Sequence, residues 1–278
     1  MIANLAIHPQ YNKANLKVLR FEGAKTTDAG KIAFTVNQEI TKAQGKLEIK
    51  APEEQKLNYK TLTVDEAITI LAQKIRSFTD NAEKLAFKDS LTGLLNKNAY
   101  NNRDRKKFVL EACQKQNPLG VVFIDLNKFK PINDVFGHEE GDKALKVSAK
   151  TLKTIVGDKG KVYRNGGDEF LVLLPDSKFK ETGEIAEKLR INIEKTTKAL
   201  KESGKLQADL TASIGYSTFD PQSIEDSEDI TKNKGRNGKF GEIMNEYQKA
   251  YNRADNASYV SKGYAHRGGK QRAYGLEK

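Results

Sequence analysis

The sequence predicts an α+β protein in which a mixed, mostly antiparallel sheet carries helices on one face, an elaboration of the ferredoxin-like split βαβ unit. Three observations predict it. From Asp89 onward, apolar runs of strand length alternate with longer segments of helical period in the order strand, helix, hairpin, helix, strand, helix. Two of the strand runs, "KVYRN" and "DEFLVLL", are separated only by a glycine pair, which requires an antiparallel hairpin. That hairpin interrupts the regular strand–helix alternation on which a parallel, doubly wound sheet is built.

The elements follow in chain order. Residues 1–60 contain the short β-like runs "KIAFTVNQEI" and "GKLEIKA" between polar breaks, and predict a small strand-rich N-terminal region in which no chemistry is legible. Residues 61–88 predict an amphipathic linker helix: Ala67, Ile70, Leu71, Ile75 and Phe78 fall at helical spacing, and Thr63 with Glu66 forms a capping-box pattern. Such a helix either packs on its own domain or pairs with its copy as a dimerising stalk. Residues 89–278 predict one catalytic-sized domain. There "LGVVFIDL" is a buried strand, and "EEGDKALKVSAKTLKTIV" is a helix with Ala144, Leu145, Leu152 and Ile155 on one side. "GEIAEKLRINIEKTTKAL" is a further helix, "LTASIGYSTF" a strand and "MNEYQKAYNRADNASYVSK" the last helix. Between Phe219 and Met244 the connection is long and rich in Gly, Lys and Asn, which predicts a mobile surface loop.

Composition excludes several classes. With 37% hydrophobic and 31% charged residues the chain reads as globular, and its longest apolar run is far too short to span a bilayer, so no membrane segment is expected. The first residues show no secretory signal, which makes a cytoplasmic location the expectation. Cys113 is the single cysteine, so an internal disulfide or multi-cysteine metal site is ruled out. The net charge of +11 raises nucleic acid as a partner. However, Lys outweighs Arg and is scattered, without the interleaved aromatics that stack on single strands. A solvated lysine-rich surface accounts for most of the charge, and nucleic acid is not the expected partner.

The stretch "RNGGDEFLVLL", Arg164 to Leu174, sets two glycines and two carboxylates at the mouth of an apolar strand. A further carboxylate, Asp125, ends the strand "VVFID". Carboxylates converging at strand ends suit Mg²⁺, a hard ion that takes oxygen ligands and shares its sphere with water and phosphates. Such an ion offsets the repulsion among Asp125, Asp168 and Glu169, whereas the view of them as separate exposed turn acids leaves their shared position beside apolar strands unexplained.

The region 89–275 resembles the GGDEF family, the diguanylate cyclases, on five ordered stretches: "DSLTGLLNK" (Asp89 to Lys97), "IDLNKFKPINDVFGHEEGD" (Ile124 to Asp142), "GGDEF" (Gly166 to Phe170), "SIG" (Ser213 to Gly215) and "ADNASYVSK" (Ala254 to Lys262). The resemblance implies a polymerase-palm-like fold that joins two GTP molecules, one per subunit of a homodimer, into cyclic di-GMP with release of pyrophosphate. It further implies that Asp125, the carbonyl of Leu126, Asp168 and Glu169 hold Mg²⁺ (or Mn²⁺), with Asp125, Asp168 and Glu169 as the catalytic acids. By the same resemblance, Gly166 and Gly167 are expected to let phosphates pass close to the backbone, and Asn133 and Asp142 to read the guanine edge. It likewise implies that Phe129 belongs to the substrate site and that Lys130, Lys262 and Arg267 reach the phosphates.

Departures from the family pattern accompany these matches. Lys262 is followed by "GYAHRGGKQR", which puts His266 where the family has a phosphate-binding Arg and leaves Arg267 to substitute after a one-residue shift. Asn127 stands where Asp is commoner, and "GDKG", Gly157 to Gly160, replaces the Arg-x-x-Asp of the family's inhibitory product site, which predicts no feedback inhibition there. The alternative reading of these departures is a catalytically weak GGDEF module that binds GTP or a protein partner as a signalling domain.

Overall fold

The structure is a computed structural model that describes residues 64–225, 227, 238–266 and 272–277. The expected strand-rich region 1–60, the cap residue Thr63 and Arg267 lie outside the described residues. The chain divides into two compact units, Met1–Ala82 and Glu83–Lys278. Of the first, the described part is the helix α1, Val64–Phe87, whose last residues enter the second unit.

The second unit is organised by β2, Leu119–Leu126, in which every position but Asp125 is buried. Because side chains alternate across a strand, that run presents apolar residues to both sides of the sheet. Val122, Ile124 and Leu126 join one core, and Leu119, Val121 and Phe123 join the other. Both faces are therefore covered by helices, which corrects the expectation of cover on one face only. One face carries α4 (His138–Val156) and α5 (Phe179–Glu202) through Leu145, Leu152, Leu189 and Ile193. The other carries α2 (Arg105–Lys115) and α6 (Lys239–His266) through Val109, Cys113, Ile243, Tyr247 and Ala254.

Among the described residues, six strands form one mixed sheet in the order β1-β3-β4-β2-β5-β6. β3 (Lys161–Arg164) and β4 (Glu169–Pro175) are the expected antiparallel hairpin, and β2 pairs antiparallel with both β4 and β5 (Ala212–Phe219). The short edge strands β1 (Leu95–Asn96) and β6 (Tyr274–Gly275) add parallel pairings at either side. Helix α6 lies directly on β5 at Gly215, where a Cβ would collide with Ala254 O and Ser258 N. The glycine of "SIG" is thus a contact residue that lets two backbones meet.

Two segments depart from the sequence reading. "FKPINDVF", to which the sequence reading assigned no element, is the helix α3, Phe129–Phe136. Pro131 sits in its first turn, where the missing N–H is no loss. The turn from β2 into α3 passes through Lys128 in the left-handed region at φ 57°, an uncommon conformation for a residue with a side chain. The connection after Phe219 is anchored where it is described: Gln222 donates to the Gln116 carbonyl at 3.0 Å, and Gln116 Nε2 donates to Ser227 Oγ at 2.8 Å.

Beneath the β3–β4 hairpin lies a group of tyrosines. A π-helical segment, Tyr100–Asp104, turns Tyr100 and Asp104 inward. The hydroxyls of Tyr100 and Tyr247 hydrogen-bond at 2.9 Å, and Tyr163 Oη donates to Asp104 Oδ2 at 2.9 Å. Tyr251 stacks on Tyr100 and meets Phe123 edge-on at 4.8 Å between ring centres. Burial raises the pKa of Tyr100, Tyr163 and Tyr247, so all three stay neutral donors.

Candidate functional site

The antiparallel register of β2 and β4 sets Asp125 opposite Glu169, and that of β2 and β5 sets it opposite Ser213. The backbone amide of Leu126 donates to the Asp168 carbonyl at 3.2 Å, which draws the residue before β4 onto the end of β2. Asp125 and Asp168 are thereby brought into electrostatic contact. Burial first, and the Asp125 charge second, push the Asp168 carboxyl above its usual value, while Lys262 and Arg164 pull the other way. Glu169 is exposed beside them, its Oε2 3.5 Å from Asn165 Nδ2.

Lys262, expected on the phosphates, lies on Asp125 in this structure: Nζ donates to Oδ1 at 2.8 Å and to Oδ2 at 3.0 Å. It arrives from the last long helix, 137 residues away in sequence. Gly166 and Gly167 are exposed, and neither has a positive φ, so the pair is not required for an unusual backbone. A Cβ on Gly167 would meet nothing within 4 Å, which leaves space over the turn for an approaching group.

The hairpin turn is held from outside by Arg164. Its guanidinium donates to both oxygens of Asp89, at 3.1 and 3.2 Å, and to the carbonyls of Gly166 (3.2 Å) and Gly167 (2.7 Å). Asp89 also accepts from the Thr92 amide at 2.8 Å and hydroxyl at 2.6 Å. The "DSLTG" loop and the signature turn are one hydrogen-bonded unit. The sequence marked both stretches but assigned neither Asp89 nor Arg164 a task; a lone Arg just before a turn of carbonyls was the available signal.

Asn133 on α3 and Asp142 on α4 are half-exposed and adjoin the same spot. A Cβ at Gly141 would collide with Asn133 Oδ1 and lie 3.1 Å from the Phe129 ring, so Asn133 and Phe129 meet α4 at the residue before Asp142. Asp142 is one turn inside α4, which begins at His138, and so is no N-cap. Lys130 is exposed on α3. Asn127 is buried and structural: its Nδ2 donates to Thr211 Oγ1 at 3.0 Å, and its Oδ1 accepts from Ser213 Oγ at 2.7 Å. This amide ties the end of β2 to β5 with both of its atoms engaged, a task for which Asn, having a donor, suits better than Asp.

The donors at the centre are all oxygens, as Mg²⁺ requires. Among the described residues no three His, Cys, Asp or Glu side chains gather as a metal site. The pair Asp125 and Asp168 therefore fits an ion that completes its sphere with backbone carbonyl, water and substrate phosphate. Among the described residues, no helix is long and apolar enough to cross a membrane.

Several known proteins are similar to this chain. Uncharacterized membrane proteins of Staphylococcus aureus strains USA300 and NCTC 8325 are each 31% identical over 166 residues, covering 56% of this chain and 46% of theirs. The chain thus spans about half the length of the curated relatives it matches. The coiled coil and GGDEF domain of DgcB from Caulobacter crescentus, in complex with c-di-GMP, superposes with a TM-score of 0.58 at 20% identity, covering 75% of this chain and 95% of that one. Diguanylate cyclase SiaD from Pseudomonas aeruginosa, in complex with its activator SiaC, gives a TM-score of 0.54 at 22% identity over 89% of this chain and 78% of its own. These likenesses establish the fold. The family described as "Diguanylate cyclase, GGDEF domain" matches residues 86–237, more than half of the 278. With that match, the sheet order and the acids gathered at the signature turn, the chain belongs to the GGDEF domain family.

Proposed function

We propose that the protein is a diguanylate cyclase that condenses two GTP molecules into cyclic di-GMP and releases pyrophosphate, working as a homodimer with Mg²⁺ (or Mn²⁺). The observation that carries this reading is the convergence of Asp125 and Asp168 at adjoining strand ends, with Glu169 beside them and open space over Gly167. Asp125, the Leu126 carbonyl and Asp168 would hold the ion, with water and substrate phosphate completing its sphere. When bound, it lowers the cost of deprotonating the attacking 3′-hydroxyl and neutralises charge on the phosphoryl group.

The chain's own residues do the rest. Glu169, exposed and adjoining Asp125 in register, receives the proton of the attacking hydroxyl. Asn133 and Asp142 hydrogen-bond the guanine edge, a carboxylate suiting its N1–H and amino donors, and adenine would leave those groups mispaired. Lys130, Lys262 and Arg267 neutralise the β- and γ-phosphates as the pyrophosphate departs. One site holds one GTP of a two-fold product, so two subunits must face each other. Helix α1 supports that pairing, because Ile68, Leu71, Ile75, Phe78, Ala82 and Leu85 recur at alternating intervals of three and four. A cytoplasmic location belongs to the same proposal, because GTP is its substrate.

Purified protein incubated with GTP and Mg²⁺, with products resolved by mass spectrometry, tests the reading. Cyclic di-GMP is expected from the wild type, none from Glu169→Ala, and no cyclic dinucleotide from ATP alone. GTP binding without product would decide instead for a signalling module that holds nucleotide without turnover.

A further inference from the structure

We propose that Lys262 is a built-in counter-cation of the carboxylate centre: an ammonium latch that a divalent ion must displace and that a nucleotide triphosphate draws away, so that metal and nucleotide bind with positive coupling. The inference rests on the reading of Asp125 and Asp168 as the metal ligands of a nucleotide site. It adds an order and an interdependence to how that site fills.

The geometry is direct. Lys262 Nζ occupies both oxygens of Asp125, at 2.8 and 3.0 Å, and its charge also reaches Asp168, where it opposes the effects of burial and of Asp125. A compact point charge on the shared side of two acids does part of what a divalent ion would do there. It leaves neither Asp125 oxygen free of a cation. An ion entering that position meets a like charge at hydrogen-bond range of its own ligand, so the two compete for the same carboxylate. Admitting the metal there favours release of the ammonium.

The side chains can separate because they are not locked in: that of Lys262 is 37% exposed and that of Asp125 22%. A lysine has a flexible four-carbon stem, and the helix that carries it can stay in place while the ammonium swings. Where it goes determines the coupling. In water alone the expelled ammonium loses its carboxylate and gains only hydration. Beside a triphosphate it exchanges one anion for another of higher charge, so the cost of admitting the metal falls. Among the described residues no three His, Cys, Asp or Glu side chains gather as a metal site, so an ion held by Asp125 and Asp168 needs phosphate oxygens to finish its sphere, which points the same way. Linkage requires that the metal raise nucleotide affinity by the same factor as the nucleotide raises metal affinity.

The test is Mn²⁺ binding to the full chain, read as free Mn²⁺ by electron paramagnetic resonance, with and without a non-hydrolysable GTP analogue. The variants are Lys262→Met, which keeps the stem and removes the charge, and Lys262→Gln. Wild type should bind Mn²⁺ weakly alone and about tenfold or more tightly with the analogue, within the usual range of coupling. Both variants should bind Mn²⁺ alone more tightly than wild type by a similar factor, about tenfold, and show a smaller gain from the analogue. Mn²⁺ binding to the variants alone at wild-type strength or weaker overturns the latch while leaving the metal site standing. Failure of wild type and variants to bind Mn²⁺ under either condition overturns the metal reading, and the latch with it.

Discussion

Replacing Arg164 with Ala should loosen the signature turn more than its surface position implies. One guanidinium nitrogen, Nη1, donates to both oxygens of Asp89 while Nε and Nη2 reach the Gly166 and Gly167 carbonyls, with the Arg164 side chain 15% exposed and that of Asp89 20%. Breaking a fully buried pair costs about 3–5 kcal/mol, and an exposed pair contributes about 0–1 kcal/mol. This one lies between the two limits, and Asp89 keeps its bonds from Thr92, so the loss should be about 2–3 kcal/mol. For a domain of this size that lowers Tm by about 4–12 °C.

Urea unfolding at pH 7 gives the stability change, and a double-mutant cycle with Asp89→Asn isolates the pair. Burial alone would raise the Asp89 carboxyl, but the Thr92 hydroxyl and amide, and then Arg164, hold it below its ordinary value. A lowered folded pKa contributes stability that is present above about pH 4 and lost as pH falls through the folded value. The gap between wild type and Arg164→Ala should therefore narrow in acid. Arg164→Lys restores the charge without the Nε and Nη2 donors to the turn carbonyls and should recover less than half of the loss. Turnover should fall about 10–100-fold in Arg164→Ala, because Asp168 and Glu169 follow the freed carbonyls of the turn. A variant within about 0.5 kcal/mol of wild type, with no coupling in the cycle, would refute the view that Asp89 and Arg164 brace the site.

Asp168→Asn should abolish product yet raise the stability of the metal-free protein at pH 7. Burial and Asp125 raise the Asp168 pKa, so the stability that its carboxyl contributes is full below about pH 4 and declines as pH rises through the folded value. Thermal melts from pH 3.5 to 8 should show the variant's advantage growing with pH; an advantage that is absent or constant would count against the raised carboxyl. Gly141→Ala should weaken a GTP analogue about tenfold or more by calorimetry while leaving Tm within a few degrees, since the added Cβ collides with Asn133 Oδ1 on a helix that Ala otherwise favours. Undiminished analogue binding would remove Asn133 from the base-reading site.

Much of this architecture was legible because it depends on short-range pattern. "LGVVFIDL" marked β2 from Leu119 to Leu126, and the glycine pair marked the β3–β4 hairpin. The same run carries a second signal: an apolar residue at nearly every position calls for helices on both faces, and both are covered. Helix α3 was hidden by Pro131, which signals a turn to local rules although it is harmless in a first helical turn. β1 and β6, two residues each, are too short to show any period.

By itself the sequence determined the α+β class, the central strands, the hairpin and the family signature, with the acids Asp125, Asp168 and Glu169 at strand ends. Periodicity and turn chemistry act over a few residues, and that is the range at which those features are encoded. The tertiary structure alone decided which side chains meet. Arg164 clasps Asp89 across 75 residues, Lys262 reaches Asp125 across 137, and Tyr100 bonds Tyr247 across 147. Each of these pairs is made by sheet register and helix packing, which bring together groups whose partners no local pattern names. The counter-charge on Asp125 and the brace behind the signature turn are therefore properties of the fold.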